Sequence, residues 1–566
     1  MGDKPELVTL TIDGLEVKVA PGTNLIEAAG SVGIEVPHYC YHPNLSVAGN
    51  CRMCQVEVEG MPKLTIGCNT QVRDGMVVRT HKTSEAVADA QRATLEFILV
   101  NHPLDCTVCD QAGHCKLQDY YYEYNGKASR FSEDKHHKVK AEVLGPEVIY
   151  DGERCILCTR CVRFCDEVTR TCELGVFNRG GKSIIGIDPS HELDNPFSGT
   201  VVDLCPVGAL THRRWRFNTR IWYTSRTHSI CPGCSTGCNV DVASRDGEVV
   251  QVKARCNCKV NKEWLCDEGR YGFSRFQPKS RLVHPLKRYG ADYLPLPWED
   301  AMRDAAALGK KHSAQNLVLV SAALTLEEMW AVRLFAKNVI GVLEKDLVLA
   351  YKSRELSELE RILISPDLSP NAAGWGLLSE PDFCDRVEDA SWRDRFANGY
   401  KQAIERLGSG EYAQVLLVGD LSIFANEVGD SVRKACGRAE LVVSLSCQEP
   451  KGDRQIISSG IETGPHDFAD LLLPISSVNE SSGVFVNRDL RAQRLKAVLP
   501  ETEGTRPVWQ ILQGIADLCG VALFEAPVTS ERDIFRHLVP SVPSMGGLSL
   551  AGIGEKGVSL LPKKES

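Results

Sequence analysis

Nineteen of the chain's 23 cysteines fall before Arg270, most of them in C-x-x-C-type groups. In a short secreted chain such spacing would suggest disulfides. Here Met1 to Pro5 is polar and acidic and shows no apolar signal-peptide core. The longest apolar runs, Leu317 to Leu324 and Leu471 to Ile475, fall far short of the roughly 18–20 residues that cross a bilayer. A soluble protein made in the cytoplasm is the expectation, and clustered cysteines there read as metal ligands. At 566 residues the chain is also too long for a single core.

Four ligand groups follow one another. The first is Cys40, Cys51, Cys54 and Cys68. Val8 to Ile12 and Leu15 to Val19 alternate around Asp13-Gly14, which predicts a β-hairpin, and Asn24 to Gly30 predicts a short helix. Hairpin, helix and a cysteine loop containing Gly49 resemble a plant-type ferredoxin with a [2Fe–2S] centre. His42 stands two residues after Cys40, as in a Rieske site, but no histidine near Cys54 completes that set.

The second group is His102, Cys106, Cys109 and Cys115, in HPLDCTVCDQAGHC. One imidazole and three thiolates can close a [4Fe–4S] cube, and tetrahedral zinc uses the same ligand types. His114 is the competing histidine. The third group begins with Cys155, Cys158 and Cys161, and two residues compete to complete it. Cys165 extends a C-x2-C-x2-C-x3-C run, but in bacterial ferredoxins the last cysteine of that run serves another cluster and precedes proline. Here Asp166 follows Cys165, whereas Cys205-Pro206 lies 44 residues beyond Cys161. Cys205 is the economical fourth ligand, and Cys165 reads as a buried thiol. The fourth group is Cys231, Cys234, Cys238 and Cys266, with Pro232 and Gly233 allowing a tight wrap. Cys256 and Cys258 lie in a polar connection, 255–262, that reads as a turn.

A formal charge of −9 argues against nucleic acid as a partner. Lys135 to Lys138 and Arg213 to Arg216 are basic, and are expected on a solvated face or a subunit contact.

The strings GNCRMCQVEV, NHPLDCTVCDQAGHCKLQD, CILCTRCVRFC, VDLCPVGALT and CPGCSTGCNV together resemble the large iron–sulfur subunit of respiratory NADH:quinone oxidoreductase, complex I. The resemblance is dense from Val8 to Arg281. It implies one [2Fe–2S] cluster, a His/Cys3 [4Fe–4S] cluster, a third cluster on the main electron path and a fourth set aside from it. It implies an electron relay between a flavin subunit that oxidises NADH and subunits that reduce quinone, with no catalytic site in this chain. The implied partners are the flavin subunit and other iron–sulfur subunits. The implied place is the cytoplasmic face of the inner membrane, with membrane contact only through partners.

Past Cys266 the cysteines thin out. Strand-like Leu317 to Ala322, Val415 to Val418 before Gly419-Asp420, Leu441 to Leu445 and Leu471 to Leu473 alternate with helical stretches such as Leu326 to Val339. That pattern predicts α/β layers around a parallel sheet. Ala469 to Arg494 resembles the molybdopterin oxidoreductases. About 300 residues follow Cys266, short for a catalytic member, so no molybdopterin is expected, with Asn487 and Arg491 as pterin-site remnants at most. Cys384, Cys436, Cys447 and Cys519 stand alone and read as buried thiols.

The expected fold is multidomain, α+β and α/β. It comprises a β-grasp ferredoxin-like domain (1–85), a His/Cys3 domain (86–145), two [4Fe–4S] domains (146–222 and 223–285) and a degenerate molybdopterin-oxidoreductase-like α/β region (286–566). The rival readings are the iron–sulfur subunit of an NAD-linked formate dehydrogenase, the electron-transfer subunit of an NAD-reducing hydrogenase, and a zinc-stapled assembly protein. The first usually carries a second complete cysteine run and a long molybdenum domain, and the second tends to stop before the fourth group. No P-loop is present, and the one G-x-G-x-x-G, Gly552 to Gly557, follows no strand-like run as a phosphate-cradling NADH or flavin site would.

Overall fold

The computed structural model describes residues 7–561 apart from 126, 274–280, 291, 309–314, 381, 387–390, 420–431, 433–434 and 449–467. Met1 to Pro5 and Asp420 therefore lie outside the described residues. The chain forms two units, Met1–Thr224 and Ser225–Ser566.

The first unit opens with the expected hairpin, β1 (Val8–Ile12) and β2 (Leu15–Val19), in register from Val8↔Val19 to Ile12↔Leu15. Asp13 and Gly14 both have positive φ (48° and 83°), the backbone that a tight hairpin turn requires. Helix α1 (Leu25–Gly30) starts where the Asn24 side chain accepts from the Glu27 amide at 3.0 Å. Strands β3 (Gln55–Val58), β4 (Thr65–Ile66) and β5 (Val77–Arg79) complete a mixed sheet in the order β2-β1-β5-β3-β4. Its alternating inward residues Leu10, Ile12, Val17, Val56 and Val78 are buried with Leu25 and Ala28 of α1. Helix α2 (Glu85–Leu99) then delivers the chain to His102.

The basic stretch after α2 is not simply a solvated face. Lys135 Nζ donates to the Leu99 and Val100 carbonyls (3.0 and 2.7 Å), closing the end of α2, and Lys138 Nζ donates to the Ser183 carbonyl at 2.7 Å. A three-stranded sheet of Leu210–His212, Val148–Tyr150 and Glu142–Val143 brackets the third cysteine group.

The second unit begins with an antiparallel sheet of Ser225–Ile230, Asn239–Arg245 and Glu248–Ala254. Beyond it lies a seven-stranded sheet. Its strands are β6 (Leu286–Tyr289), β7 (Asp292–Pro295), β8 (Asn316–Ser321), β9 (Leu347–Ala350), β10 (Gln414–Val418), β11 (Leu441–Ser446) and β12 (Leu471–Pro474). The order is β7-β6-β12-β11-β10-β8-β9. Five strands run parallel, and β6 and β7 form an antiparallel hairpin at one edge. The parallel strands are apolar without alternation because both faces are covered, and Leu317 to Val320 are all fully buried.

Helix α3 runs from Leu326 to Phe335, short of the expected Val339, and widens into a π turn over Ala336–Ile340 before Gly341 (φ 75°) ends it. Its start is a capping box between Thr325 and Glu328. Strands β13 (Gly483–Val486) and β14 (Arg491–Leu495) form a late hairpin. Of the four isolated cysteines, Cys436 and Cys447 are buried as expected, while Cys384 and Cys519 are only half-buried. Among the described residues no helix is long and apolar enough to cross a membrane.

Candidate iron–sulfur sites

In the first group the thiols come in two hydrogen-bonded pairs, Cys40 with Cys51 and Cys54 with Cys68. In each pair one thiol donates to the other, which holds Cys40 and Cys68 below the usual thiol range and pushes their partners up. The Cys40 amide also donates to Cys51 Sγ at 3.4 Å. Backbone at Gly49 (φ 61°) and Arg52 (φ 59°) is left-handed, which costs a non-glycine residue energy and is tolerated where a site demands a particular wrap. His42 Nδ1 accepts from the Asn44 amide at 3.3 Å, a local loop contact.

The second group follows α2 directly. The thiols of Cys106, Cys109 and Cys115 lie within electrostatic reach of one another, and the His102 ring shares Arg154 as a neighbour with Cys109. Burial, then the Arg154 charge, holds the His102 imidazole at about 4, so it is neutral at pH 7, as metal ligation requires. Arg154 is fixed by Asp105, with Nε at 3.1 Å and Nη2 at 2.9 Å. His114 hydrogen-bonds to Gln111 through Nε2 at 3.1 Å.

Cys155, Cys158, Cys161 and Cys205 line one small cavity, together with Tyr150, Ile156, Ile185 and Leu210. Cys165 is not among its lining residues. Leu157 and Thr159, between the ligand-type cysteines, are both left-handed (φ 54° and 59°), and the Leu157 amide donates to Cys155 Sγ at 3.4 Å. The Tyr150 hydroxyl donates to the same sulfur while accepting from the Ile185 amide at 3.2 Å. Burial pushes Cys155, Cys158 and Cys161 up, and Cys205 up to about 12. Cys165 is likewise pushed up to about 12, by burial and then by Glu173.

Cys231, Cys234, Cys238 and Cys266 line a second small cavity, with Gly233, Gly237, Gly269 and Ile364. Gly233 and Gly269 amides donate to Cys231 and Cys266 sulfurs at 3.4 and 3.3 Å. A Cβ at Gly269 would stand 3.0 Å from Cys231 Sγ and 3.3 Å from Cys266 Sγ, so any side chain there would press on both thiols. Cys256 and Cys258 are exposed and lie outside the cavity.

Among the described residues no three His, Cys, Asp or Glu groups converge on one metal-ion position. A cluster asks for something different, since in a [4Fe–4S] cube each ligand binds its own iron and in a [2Fe–2S] cluster each iron takes two thiolates. Small apolar cavities edged by four thiols, with amides aimed at sulfur, fit iron–sulfur clusters.

The three groups of the first unit are joined by residues that the sequence alone does not single out. Arg163 Nη2 donates to the Cys40 carbonyl at 2.6 Å and to the Cys158 carbonyl at 3.2 Å, and Nη1 donates to the Ser46 carbonyl. Arg160 donates to the Tyr41 and Leu204 carbonyls, and Glu167 accepts from the Ser46 amide at 2.8 Å. Gly208, three residues past Cys205, abuts the Cys109 sulfur. Between the first and second groups stand the buried rings of Tyr39 and Tyr120, 5.3 Å apart. Arg163 sits inside the cysteine run itself, but nothing in one sequence reports which carbonyls a guanidinium will reach.

Family models match along the chain. They are a 2Fe-2S iron-sulfur cluster binding domain (6–83), an NADH-ubiquinone oxidoreductase-G iron-sulfur binding region (91–130) and the ferredoxin-like domain of NADH-quinone oxidoreductase subunit 3 (145–211). A molybdopterin oxidoreductase Fe4S4 domain (224–277) and a molybdopterin oxidoreductase model (447–518) follow. The mitochondrial NADH-ubiquinone oxidoreductase 78 kDa subunit of Candida albicans is 30% identical over 94% of this chain and 86% of its own length. The chain belongs to this family of large iron–sulfur subunits. An NADH-quinone oxidoreductase subunit of Streptomyces coelicolor is 39% identical over 60% of the chain, and the match spans 41% of that longer protein. The match to the corresponding Mycobacterium bovis protein likewise spans 43% of it, so the chain covers less than half the length of these two bacterial relatives. A chain of an NAD+-reducing [NiFe]-hydrogenase crystal structure matches 38% of this chain and 91% of its own, at 30% identity and a TM-score of 0.34. As in the family, this chain carries binding domains of both 2Fe-2S and 4Fe-4S type.

Proposed function

We propose that the chain is the electron-relay subunit of an NADH:quinone oxidoreductase, working with a flavin subunit that oxidises NADH and with further iron–sulfur subunits toward quinone. In this reading it lies on the cytoplasmic face of the membrane and touches the membrane only through partners. The residues that would hold clusters are Cys40, Cys51, Cys54 and Cys68 for [2Fe–2S]. Three [4Fe–4S] clusters would be held by His102, Cys106, Cys109 and Cys115; by Cys155, Cys158, Cys161 and Cys205; and by Cys231, Cys234, Cys238 and Cys266. Bound clusters supply one-electron carriers. The domain limits at about residues 85, 145, 222 and 285 belong to the same reading.

The observation that carries it is the Arg163 bridge, because one guanidinium holds the carbonyls of two residues from different ligand groups. A protein using its cysteines as isolated structural staples has no need to fix one site against another. Tyr150 and the loop amides place donors on sulfur, and the cysteines of the fourth group are all buried.

The test is iron and acid-labile sulfide on the anaerobically reconstituted chain, with EPR. The expected content is about 14 iron atoms per chain. A reproducible value near ten with the Cys231 group intact removes one [4Fe–4S] cluster, and a colourless zinc-loaded protein removes the reading altogether.

A further inference from the structure

The loop between Cys234 and Cys238 contributes three consecutive carbonyls to one hairpin. The Arg488 amide donates to the Ser235 carbonyl at 2.8 Å, Asn487 Nδ2 to the Thr236 carbonyl at 3.1 Å, and Gln493 Nε2 to the Gly237 carbonyl at 3.0 Å. All three donors belong to the β13–β14 hairpin, about 250 residues later in the chain. The fit is close, since a Cβ at Gly237 would meet Gln493 Oε1 at 2.6 Å. The hairpin lies in the segment matched by the molybdopterin oxidoreductase model. Asn487 and Arg491 are committed to protein partners. Asn487 Oδ1 accepts from the Asp489 and Arg491 amides (3.0 and 2.9 Å), and Arg491 donates to the Gly557 carbonyl at 2.7 Å.

Arg488 does more than hold the loop. Its guanidinium reaches the carbonyl of Ile364 at 3.5 Å, and Ile364 lines the same cavity as the four thiols. The side chain is 27% exposed, and the acid beside it, Asp489, is 3.9 Å away at the surface.

We propose that Asn487, Arg488 and Gln493 are the outer wall of the fourth cluster site, and that the Arg488 guanidinium sets the reduction potential of the cluster there. This rests on the reading that Cys231, Cys234, Cys238 and Cys266 hold a [4Fe–4S] cluster. Reduction adds a negative charge to the cluster, a nearby fixed cation stabilises the reduced form, and a partly buried cation is screened less than an exposed one. The molybdopterin-like region then acts as the wall of an iron–sulfur site without binding a pterin.

The experiment uses the full chain, reconstituted anaerobically, with iron analysis and EPR-monitored redox titration. Cys238→Ala identifies the fourth signal by removing it. Arg488→Gln is expected to keep its iron and to titrate that one signal at a lower potential, the others unmoved, while Arg488→Lys stays at the wild-type potential. An unmoved potential in Arg488→Gln, or an equal fall in Arg488→Lys, overturns the proposal. If Arg488→Gln loses the fourth cluster's iron, retention of iron and potential in Arg488→Lys supports the role of charge, and loss in both overturns it. If Cys238→Ala removes neither signal nor iron, the four-cluster reading itself fails, and this proposal with it.

Discussion

Gly208 presents its backbone to the sulfur of Cys109 so closely that a Cβ at position 208 would stand 2.1 Å from Sγ and 3.2 Å from Gln111 Cβ. The loop leaving Cys205 thus rests on the cysteine loop of the second group. Gly208→Ala must displace Cys109, and overpacking of this kind costs about 1–3 kcal/mol. The expected outcome is loss of one [4Fe–4S] signal and its iron, with the [2Fe–2S] signal kept. An alanine variant with full iron content would mean that the Cys109 sulfur can move without harm.

Cys205 and Cys165 compete on sequence, and only Cys205 lines the cavity of Cys155, Cys158 and Cys161. Closing the longer loop is not a serious obstacle, because each doubling of loop length costs only about 0.6 kcal/mol. Cys205→Ala should remove one [4Fe–4S] signal and stop electron flow from NADH to quinone in the assembled enzyme. Cys165→Ala should leave both nearly intact. The reverse pattern, read by EPR and iron analysis, would reassign the third site.

Tyr150 offers a subtler lever on the same site. Its hydroxyl donates to the Cys155 sulfur, and a donor on sulfur stabilises the more negative, reduced state. Tyr150→Phe should keep its iron, lose about 0.5–1.5 kcal/mol of stability and titrate one [4Fe–4S] signal at lower potential. Unchanged potentials across all signals would show that this hydrogen bond does not reach the cluster.

A pH dependence follows from α3. Glu327 is fully buried, with Oε2 accepting from the Val484 amide at 2.9 Å and Oε1 without a hydrogen-bond partner among the described residues. Burial, with smaller contributions from Glu328 and Glu531, pushes its carboxyl up to about 8, and burial likewise pushes Glu328 up to about 7. Unfolded carboxyls titrate near ~4.3, so between there and about 8 the folded chain holds more protons. This contribution is fully present below the unfolded value and is lost as pH rises through the folded one. The apparent melting temperature of the chain should therefore fall from pH 5 to pH 8. Glu327→Gln keeps the acceptor for Val484, and should flatten that slope and add on the order of a few kcal/mol at pH 8. A slope identical to wild type would exclude Glu327 as its source.

Local chemistry is the legible part of this fold. Asp13-Gly14 in its hairpin, Asn24 capping α1 and the unbroken apolar runs of β8, β10 and β12 each follow from residues next to one another. The cysteine groups are legible for the same reason, since ligand spacing is a local property. Long-range hydrogen bonds are not. Lys135 reads as a solvated charge, yet it closes α2 from 35 residues away. Asn487 reads as a relic of a lost pterin site, yet its amide holds the Thr236 carbonyl. Helix α3 stops early because a π turn takes up Ala336–Ile340, and periodicity does not distinguish a widened turn from a regular one.

The Arg163 bridge bears on how such a chain can change over generations. By length and composition the 41–50 loop is the kind of surface segment that normally tolerates insertion and drift. Here the carbonyls of Cys40, Tyr41 and Ser46 are held by arginines from a segment more than a hundred residues away. A lengthened loop would release those arginines, and a replaced Arg163 would release the loop, so the two segments must vary together. Grafting a foreign ferredoxin in place of the first ninety residues would leave three guanidinium contacts with nothing to hold. The beads that look separable on the string are, at this joint, inherited as one piece.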